Sequence, residues 1–363
     1  NLKGVDVNTN SLTFKSINTR GFATFANTRF MQLVDGMDNS SPALNFNLGN
    51  LLGMSELDIN SVELMPGASS ALYGANAFNG ILFMTSKNPF DSAGISVYGK
   101  TGITSQKAAG DNNFMDAGIR IAHKFSDKFA VKASFSFLKG TEWYATEYRD
   151  FNNPSLTRSD PAYDGLNIYG DEVSTEINFD LAAQASLPIA IGTLGSATIS
   201  RTGYEERDLM DYNAESAKTD IALHYRPFAD DLEIIYNGKF GKGNTIYQGA
   251  NRYAIDNFTM QQHKIEIKND DFFVRAYLTD EDAGDSYDTR FAAINVNRDW
   301  KGDTQWFTEY ATTFIGARLT GVDEVNAHAA ARATADQGRL IPGTPEFINA
   351  FDRIKSDGDL TTG

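Results

Sequence analysis

After residue 90, the chain repeats short segments in which apolar and polar residues alternate. In 128–137, for example, Phe129, Val131 and Phe135 alternate with Lys132 and other polar residues. Alternation with a period of two is typical of β-strands whose two faces meet different surroundings. Seven segments follow this pattern, some less regularly: 94–104, 113–125, 128–137, 218–226, 231–240, 258–268 and 272–279.

Short and long connections alternate between these predicted strands. The short connections are 126–127, 227–230 and 269–271, and the long ones are 105–112, 144–216, 241–257 and 281 onward. This order is typical of an outer-membrane β-barrel, with short periplasmic turns and long extracellular loops. A soluble β-sandwich also alternates apolar and polar residues, but it has no reason to place every long connection at one end.

The alternation also predicts which side chains meet lipid. Phe135, Leu223 and Ile234 occupy the apolar phase and should face the bilayer, whereas Lys132 occupies the opposite phase, where a substitution should cost much less. Four aromatic residues beside the short turns are expected to form part of a periplasmic girdle: Phe125, Phe129, Tyr225 and Phe272.

The first ninety residues have short apolar runs separated by turn residues instead of long alternating segments. Apolar runs at 30–34, 62–65 and 81–85 predict strands, and the small residues of 68–73 predict a short helix. Pro-Gly at 66–67 and Asn-Gly at 79–80 are turn signals. The sequence here predicts a compact α/β module.

Three motifs in this module are informative together: RGF at 20–22, QLVDGM at 32–37 and DINSVELMPGASSALYGANAFNGILFMTSKNPF at 58–90. They resemble the plug domain of TonB-dependent outer-membrane receptors, in the form found near the SusC-like receptors of Bacteroidota. The resemblance implies a plug in 1–90, its upstream part missing, inside the lumen of a large antiparallel barrel. Residues 91–363 would be the N-terminal portion of that barrel, with extracellular loops 144–216 and 281–363.

Such a barrel needs about 22 strands to hold a plug, and seven strands cannot close in lipid without exposing unpaired backbone groups. We therefore expect the chain to be part of a longer receptor. Twelve plug residues are candidates for the motif or for gating: Arg20, Gly21, Asp35, Gly36, Glu63, Pro66, Gly67, Tyr73, Gly74, Asn79, Gly80 and Lys87. Glu63 is expected to pair with an arginine or lysine and, with Arg20, to help hold the plug closed, because an enclosed charge needs a partner.

Aromatic residues among many Asp and Asn in the first long loop suit sugars or peptides through stacking and hydrogen bonds, although packing between loops explains them as well. The candidate ligand-facing residues are Trp143, Tyr144, Tyr148, Tyr163 and Tyr169. Farther on, the Ala-rich segment 322–337, followed by Gly338, predicts a helix.

Composition narrows the chemistry. The 363 residues carry a formal charge of −15 and no cysteine, which argues against nucleic-acid binding and excludes disulfides and thiol chemistry. The four histidines lie on separate elements, and the acidic stretch 280–291 lacks the glycine and the final glutamate of a calcium loop. We expect no catalytic residue, metal or cofactor.

The resemblance implies active import of an oligosaccharide, peptide or siderophore across the outer membrane of a Gram-negative bacterium. Its implied partners are TonB with the ExbB/ExbD inner-membrane complex, a SusD-like surface lipoprotein and outer-membrane lipid. Two alternatives remain open: a passive porin or surface adhesin, and a secreted carbohydrate-active enzyme with paired carboxylates.

Overall fold

The computed structural model describes residues 3–356 except 22–26, 45, 48–50, 52, 75, 186, 229–230 and 249–250. Phe22 of the RGF motif lies outside the described residues. The chain divides into two compact units, the first formed by Asn1–Trp143 with Tyr212–Ser286 and the second by Tyr144–Asp211 with Tyr287–Gly363.

The first unit begins with the α/β module. Its elements are β1 (Val5–Thr9), β2 (Lys15–Thr19), β3 (Phe30–Val34), β4 (Met37–Asp38), β5 (Ser40–Ser41), β6 (Phe46–Asn47), β7 (Ile59–Pro66), α1 (Ser70–Tyr73) and β8 (Gly80–Ser86). A mixed sheet of order β4-β3-β8-β7 forms its centre, with β3 and β8 parallel. The three predicted strands and the short helix are confirmed.

The rest of the first unit is a large antiparallel sheet, which we call the wall. Its strands are β9 (Gly94–Gln106), β10 (Gly110–Lys124), β11 (Phe129–Thr141), β16 (Asn213–Tyr225), β17 (Glu233–Gln248), β18 (Arg252–Lys268) and β19 (Phe273–Asp282). They pair in chain order from β9 to β19. All seven predicted strands are confirmed.

Two of the predicted long connections are wrong. β9 ends at Gln106 and β10 begins at Gly110, and β17 ends at Gln248 and β18 begins at Arg252, so 105–112 and 241–257 are mostly strand. The regular alternation covers only part of each strand, and backbone pairing continues through the less regular sequence beyond it. The insertion between β11 and β16 remains long and leaves from the end opposite the short turns, as predicted.

The two faces of the wall have the reverse of the usual polarity. In β11, Phe129 and Phe135 are exposed, whereas Lys132, Ser134 and Ser136 are buried. The same phase exposes Leu223, and it exposes Ile234 in part. The four residues predicted for a girdle are all exposed beside the short turns: Phe125, Phe129, Tyr225 and Phe272. An apolar face is thus left open while a polar face is covered.

The second unit has an ordinary apolar core. Its elements are β12 (Ile168–Tyr169), β13 (Ser174–Asn178), α2 (Phe179–Gln184), β14 (Ser196–Ser200), β15 (Tyr204–Glu205), β20 (Tyr287–Asp288), α3 (Thr289–Trp300), α4 (Asp303–Leu319), α5 (Glu324–Ala335) and α6 (Pro345–Ser356). Trp306, Tyr310 and Phe314 of α4 are fully buried against α2 and α5. The helix predicted over 322–337 is α5, which Asp323 caps through Asn326 N.

None of the helices in the described part of the chain is long and apolar enough to cross a membrane.

Candidate functional site: the contact between the module and the wall

Asp58 joins the module to the wall through two cations. It ends the 3₁₀ turn Glu56–Asp58 directly before β7 and is 1% exposed. Arg120 Nε of β10 donates to Asp58 Oδ1 at 2.5 Å, and Lys132 Nζ of β11 donates to Oδ2 at 2.7 Å. Both cations are only 3% exposed. Removing one member of such a buried cluster leaves a charge without compensation, which is costly.

The same cations bind the chain that leaves the module. Lys132 Nζ also donates to Ser86 Oγ at 2.5 Å and to Lys87 O at 3.0 Å. Arg120 Nη1 donates to Ser92 O at 2.8 Å. Lys87 itself points back into the module, where its Nζ donates to Leu57 O at 2.8 Å. The segment 86–92, which leads from the module to β9, is therefore bound to the wall by Lys132 and Arg120 and to the module by Lys87.

A second contact forms at the turn between β3 and β4. Asp35 and Gly36 have φ of 50° and 78°, the left-handed pair of a type I′ hairpin turn. The Asp35 carboxylate lies 3.4 Å from Lys239 Nζ of β17, and Asp35 O accepts from Lys264 Nζ of β18 at 3.0 Å. Burial alone would raise the pKa of Asp35, but Lys239 and other wall lysines outweigh it and hold the pKa well below its usual range.

Gly36 lies directly against Arg275 of β19. Arg275 Nη1 donates to Gly36 O at 3.3 Å, and Arg275 Nε donates to Glu266 at 3.0 Å. A Cβ at Gly36 would overlap the Arg275 guanidinium, and its φ of 78° already disfavours a side chain. Glycine at this position therefore lets the hairpin approach the wall.

The third contact is centred on the carboxylate of Glu233, the first residue of β17. Its carboxylate accepts from Asn88 Nδ2 at 3.1 Å and from Arg226 Nη2 at 2.9 Å, and lies 2.5 Å from His224 Nδ1. The Arg226 guanidinium lies 4.0 Å from the centre of the Phe90 ring. The Asn-Pro-Phe segment that ends the motif is thereby held on the wall by hydrogen bonds and a cation–π contact.

A cavity of about 510 Å³ lies between the module and the wall near these contacts. Leu33 and Phe83 line it from the module, and His224, Asn237 and Lys264 line it from the wall. A cavity of this volume, with charged and amide side chains in part of its lining, is large enough for water. Farther along the wall the contact is apolar instead, in a buried cluster of Phe14, Leu51, Tyr247, Ile255, Phe258 and Met260.

The two residues predicted to gate lie away from this network. Glu63 is exposed on β7, and among the described residues it has no lysine or arginine within 4.0 Å, so the predicted ion pair is not found there. Arg20 is exposed with φ of 61°, and its guanidinium lies beside Gly67. Sequence reasoning missed Asp58 and its partners Arg120 and Lys132. The one available signal was that these cations lie on the polar phase of their strands.

Several other motif residues have structural roles. Asn79 is buried and its side chain bonds Thr19 N at 2.9 Å and Asn27 Nδ2 at 2.8 Å, which ties β8 to β2. Tyr73 is partly exposed and packs edge-on against Phe83 at 5.5 Å. The remaining motif residues lie at turns and strand or helix ends: Gly21, Pro66, Gly67, Gly74 and Gly80.

The candidate ligand-facing aromatics differ in exposure. Trp143 is 40% exposed, and Tyr144 and Tyr148 are partly exposed. Tyr163 and Tyr169 are buried, with Tyr163 Oη donating to Tyr148 O at 2.5 Å and Tyr169 Oη to Glu206 at 3.0 Å. Packing thus occupies the last two, and ligand contact by any of the five stays a prediction. Within the described residues, no group of three or more His, Cys, Asp or Glu could hold a metal ion.

Residues 1–81 match the family model described as TonB-dependent receptor plug domain. The match covers the N-terminal module, and the strands of the antiparallel wall follow it in the chain. We therefore refer to the N-terminal module as the plug. No curated protein matches the sequence.

Three solved structures are similar to this chain over part of its length. The ferric enterobactin receptor PfeA of Pseudomonas aeruginosa is 15% identical with a TM-score of 0.42, over 77% of this chain and 37% of that chain. PirA of Acinetobacter baumannii is 12% identical with a TM-score of 0.39, over 76% and 39%. The ferric yersiniabactin receptor FyuA of Yersinia pestis is 11% identical with a TM-score of 0.29, over 77% and 56%. This chain thus spans only about 37% of the PfeA chain.

Proposed function

We propose that this chain belongs to a TonB-dependent outer-membrane transporter that imports a nutrient into the periplasm. The observation that carries the proposal is the wall itself, whose polar face is covered by a plug through buried charges while its apolar face is open. An exposed apolar sheet face suits lipid, and a covered polar face suits the lumen of a barrel.

The plug contacts suit a gate better than a permanent seal. Asp58, Asp35 and Asn88 are held by charged or polar wall residues, which water can solvate when the plug moves. An apolar interface would have no such substitute. We infer that TonB, driven through ExbB/ExbD, displaces the plug, and that the protein itself catalyses no bond-making.

The resemblance to SusC-like receptors supports an oligosaccharide or peptide as substrate and a SusD-like lipoprotein as partner, with a siderophore as the other class. The extracellular placement of 144–216 and 281–363, the division at residue 90 and a complete barrel of about 22 strands belong to this proposal. A passive porin is the alternative. It fits less well because a porin has a water-filled lumen, and here the plug covers the polar face.

Leak of a large antibiotic through the full-length receptor tests the proposal. We expect cells carrying the wild-type receptor to exclude vancomycin, and cells carrying the receptor without residues 3–90 to become sensitive. Growth on the imported nutrient should also disappear when tonB is deleted. Equal vancomycin sensitivity with and without the plug, or uptake that persists without TonB, would favour a passive pore.

A further inference from the structure

Glu142 holds the plug at a place that none of the three charged contacts reaches. It is the residue after β11, is 3% exposed, and its Oε2 accepts from the backbone N–H of Leu12 at 2.9 Å. Leu12 lies in the tip of the β1–β2 hairpin, residues 10–14. A carboxylate of the wall thus binds the backbone of the first plug hairpin.

Buried hydroxyl groups surround this carboxylate. Thr245 Oγ1 of β17 donates to Glu142 Oε1 at 3.3 Å. Ser11 and Thr13, both on the hairpin tip, lie 2.8 Å from the same Thr245 oxygen. All three are at most 3% exposed. The tip and the wall therefore share one small network of neutral groups around a single acid.

Glu142 is rigidly placed on the wall. Its backbone N–H donates to Tyr212 O at 2.8 Å, which continues the pairing of β11 with β16 past Thr141 and Asn213. Residues 142 and 212 are also where the long insertion leaves and re-enters the sheet.

Burial favours the neutral form of the Glu142 carboxyl over the charged form. In the described part of the chain, no lysine or arginine nitrogen lies within 4.0 Å of Glu142. Burial raises the pKa of Glu142 to about 7, while the Leu12 N–H, the Thr245 and Ser11 hydroxyls and the more distant charge of Arg252 on β18 act in the opposite direction. Lys139 and Glu215, the charged pair nearest along β11 and β16, lie 3.5 Å from each other and are about half exposed.

We propose that Glu142 is a proton-sensitive latch, a positioning residue that holds the tip of the first plug hairpin on the wall more tightly when its carboxyl is neutral. Because its pKa is raised on docking, the undocked carboxyl ionises near its ordinary value while the docked one stays protonated. Docking is therefore strongest at acidic pH and weakens as pH rises from the ordinary carboxyl pKa to about 7, above which both states are ionised.

Hydrogen exchange of residues 10–14 in the full-length receptor tests the latch. After correction for the intrinsic rate, protection in the wild type should fall severalfold between pH 5.5 and pH 8.5. Glu142→Gln keeps an acceptor for Leu12 N without a titrating charge, so its protection should stay high and flat with pH. Glu142→Ala leaves Leu12 N without its acceptor, so protection should fall about tenfold or more at every pH.

The control is Glu281→Ala on β19. Glu281 accepts from Ser41 Oγ at 2.7 Å and from Ala43 N at 2.6 Å, so it holds a different plug segment. Its loss should free residues 41–44 and leave residues 10–14 protected. A wild-type profile that is flat with pH, or Glu142→Gln behaving like Glu142→Ala, would overturn the latch.

Any effect of the latch on transport rests on the proposed function, whereas the hydrogen-exchange test of the latch is independent of that function. If exchange follows the expected pattern but vancomycin leak and uptake show no plug dependence, the latch stands and the transport proposal fails. If leak depends on the plug but exchange of residues 10–14 ignores Glu142, the reverse holds.

Discussion

The buried face of the wall is rich in charged and polar side chains, whereas the core of the second unit is apolar. The wall buries Arg120, Lys132, Asp220 and Glu266 and leaves Phe135 open. The second unit buries Trp306, Phe314 and Phe179 around an ordinary apolar centre. A buried polar surface is stable only when each charge has a partner, whereas an apolar core needs shape and volume.

The difference shows which substitutions each region tolerates. In the wall, the sign and position of single charges matter, because the Asp58 carboxylate pairs with two buried cations at once. In the second unit, loss of volume matters most.

Replacing Asp58 by alanine should have the largest effect. It leaves Arg120 and Lys132 buried without their anion, which should weaken plug docking by about 3–5 kcal/mol. Hydrogen exchange of β7 and β8 in the full-length receptor measures the change. The matched control is Glu63→Ala, an exposed plug acid, which should stay within about 0.5 kcal/mol of wild type. Equal effects would show that Asp58 is not the main contact.

Trp306→Ala tests the apolar core of the second unit. Trp306 is fully buried and stacks on Tyr310 at 5.4 Å. The cavity should cost about 3–5 kcal/mol, measured as lost exchange protection in α4 and α5. Val325→Ala, on an α5 side chain that is 77% exposed, should change little. Protection that survives Trp306→Ala would mean that another cluster stabilises this unit.

Phe135→Arg tests whether the open face meets lipid. An arginine near the bilayer midplane should cost about 2–4 kcal/mol of folding stability in a bilayer, measured from urea titrations of the receptor in vesicles. Phe135→Leu should be nearly neutral. Lys132 no longer serves as the tolerant control expected from its phase, because it is buried against Asp58. Equal costs for arginine and leucine would refute lipid contact.

The smallest effect should come from pH in the second unit. Burial raises the pKa of Asp171 to about 8 and that of Glu172 to about 7. A carboxyl whose pKa is raised on folding stabilises the folded state most at acidic pH, and that advantage is lost as pH rises from about 4 to 8. We expect about 1–3 kcal/mol less stability at pH 8.5 than at pH 5, read from exchange of 165–172. Asp171→Asn should reduce this pH dependence to the part that Glu172 contributes.

The local sequence pattern was sufficient to predict most of the strands and one of the long helices. Period-two alternation identified all seven wall strands and the exposed phase of the five inner ones, β10, β11 and β16 to β18. The covered and open faces of these strands impose opposite polarity on neighbouring residues. The plug strands at 30–34 and 81–85 and helix α5 followed from apolar runs, turn residues and caps. The lengths of β17 and β18 were underestimated, since the regular alternation of apolar and polar residues stops before the end of their backbone pairing.

Which residues form the candidate site was determined only by the tertiary structure. Asp58 lies 62 positions before Arg120 and 74 before Lys132, and nothing local marks it above Glu63, which belongs to the same motif. The sheet register and the docking of the plug choose which acid meets which cation. The same holds for the two loops expected at 144–216 and 281–363, most of which form one compact unit, Tyr144–Asp211 with Tyr287–Gly363. Their shared core forms only when distant segments bury apolar surface together.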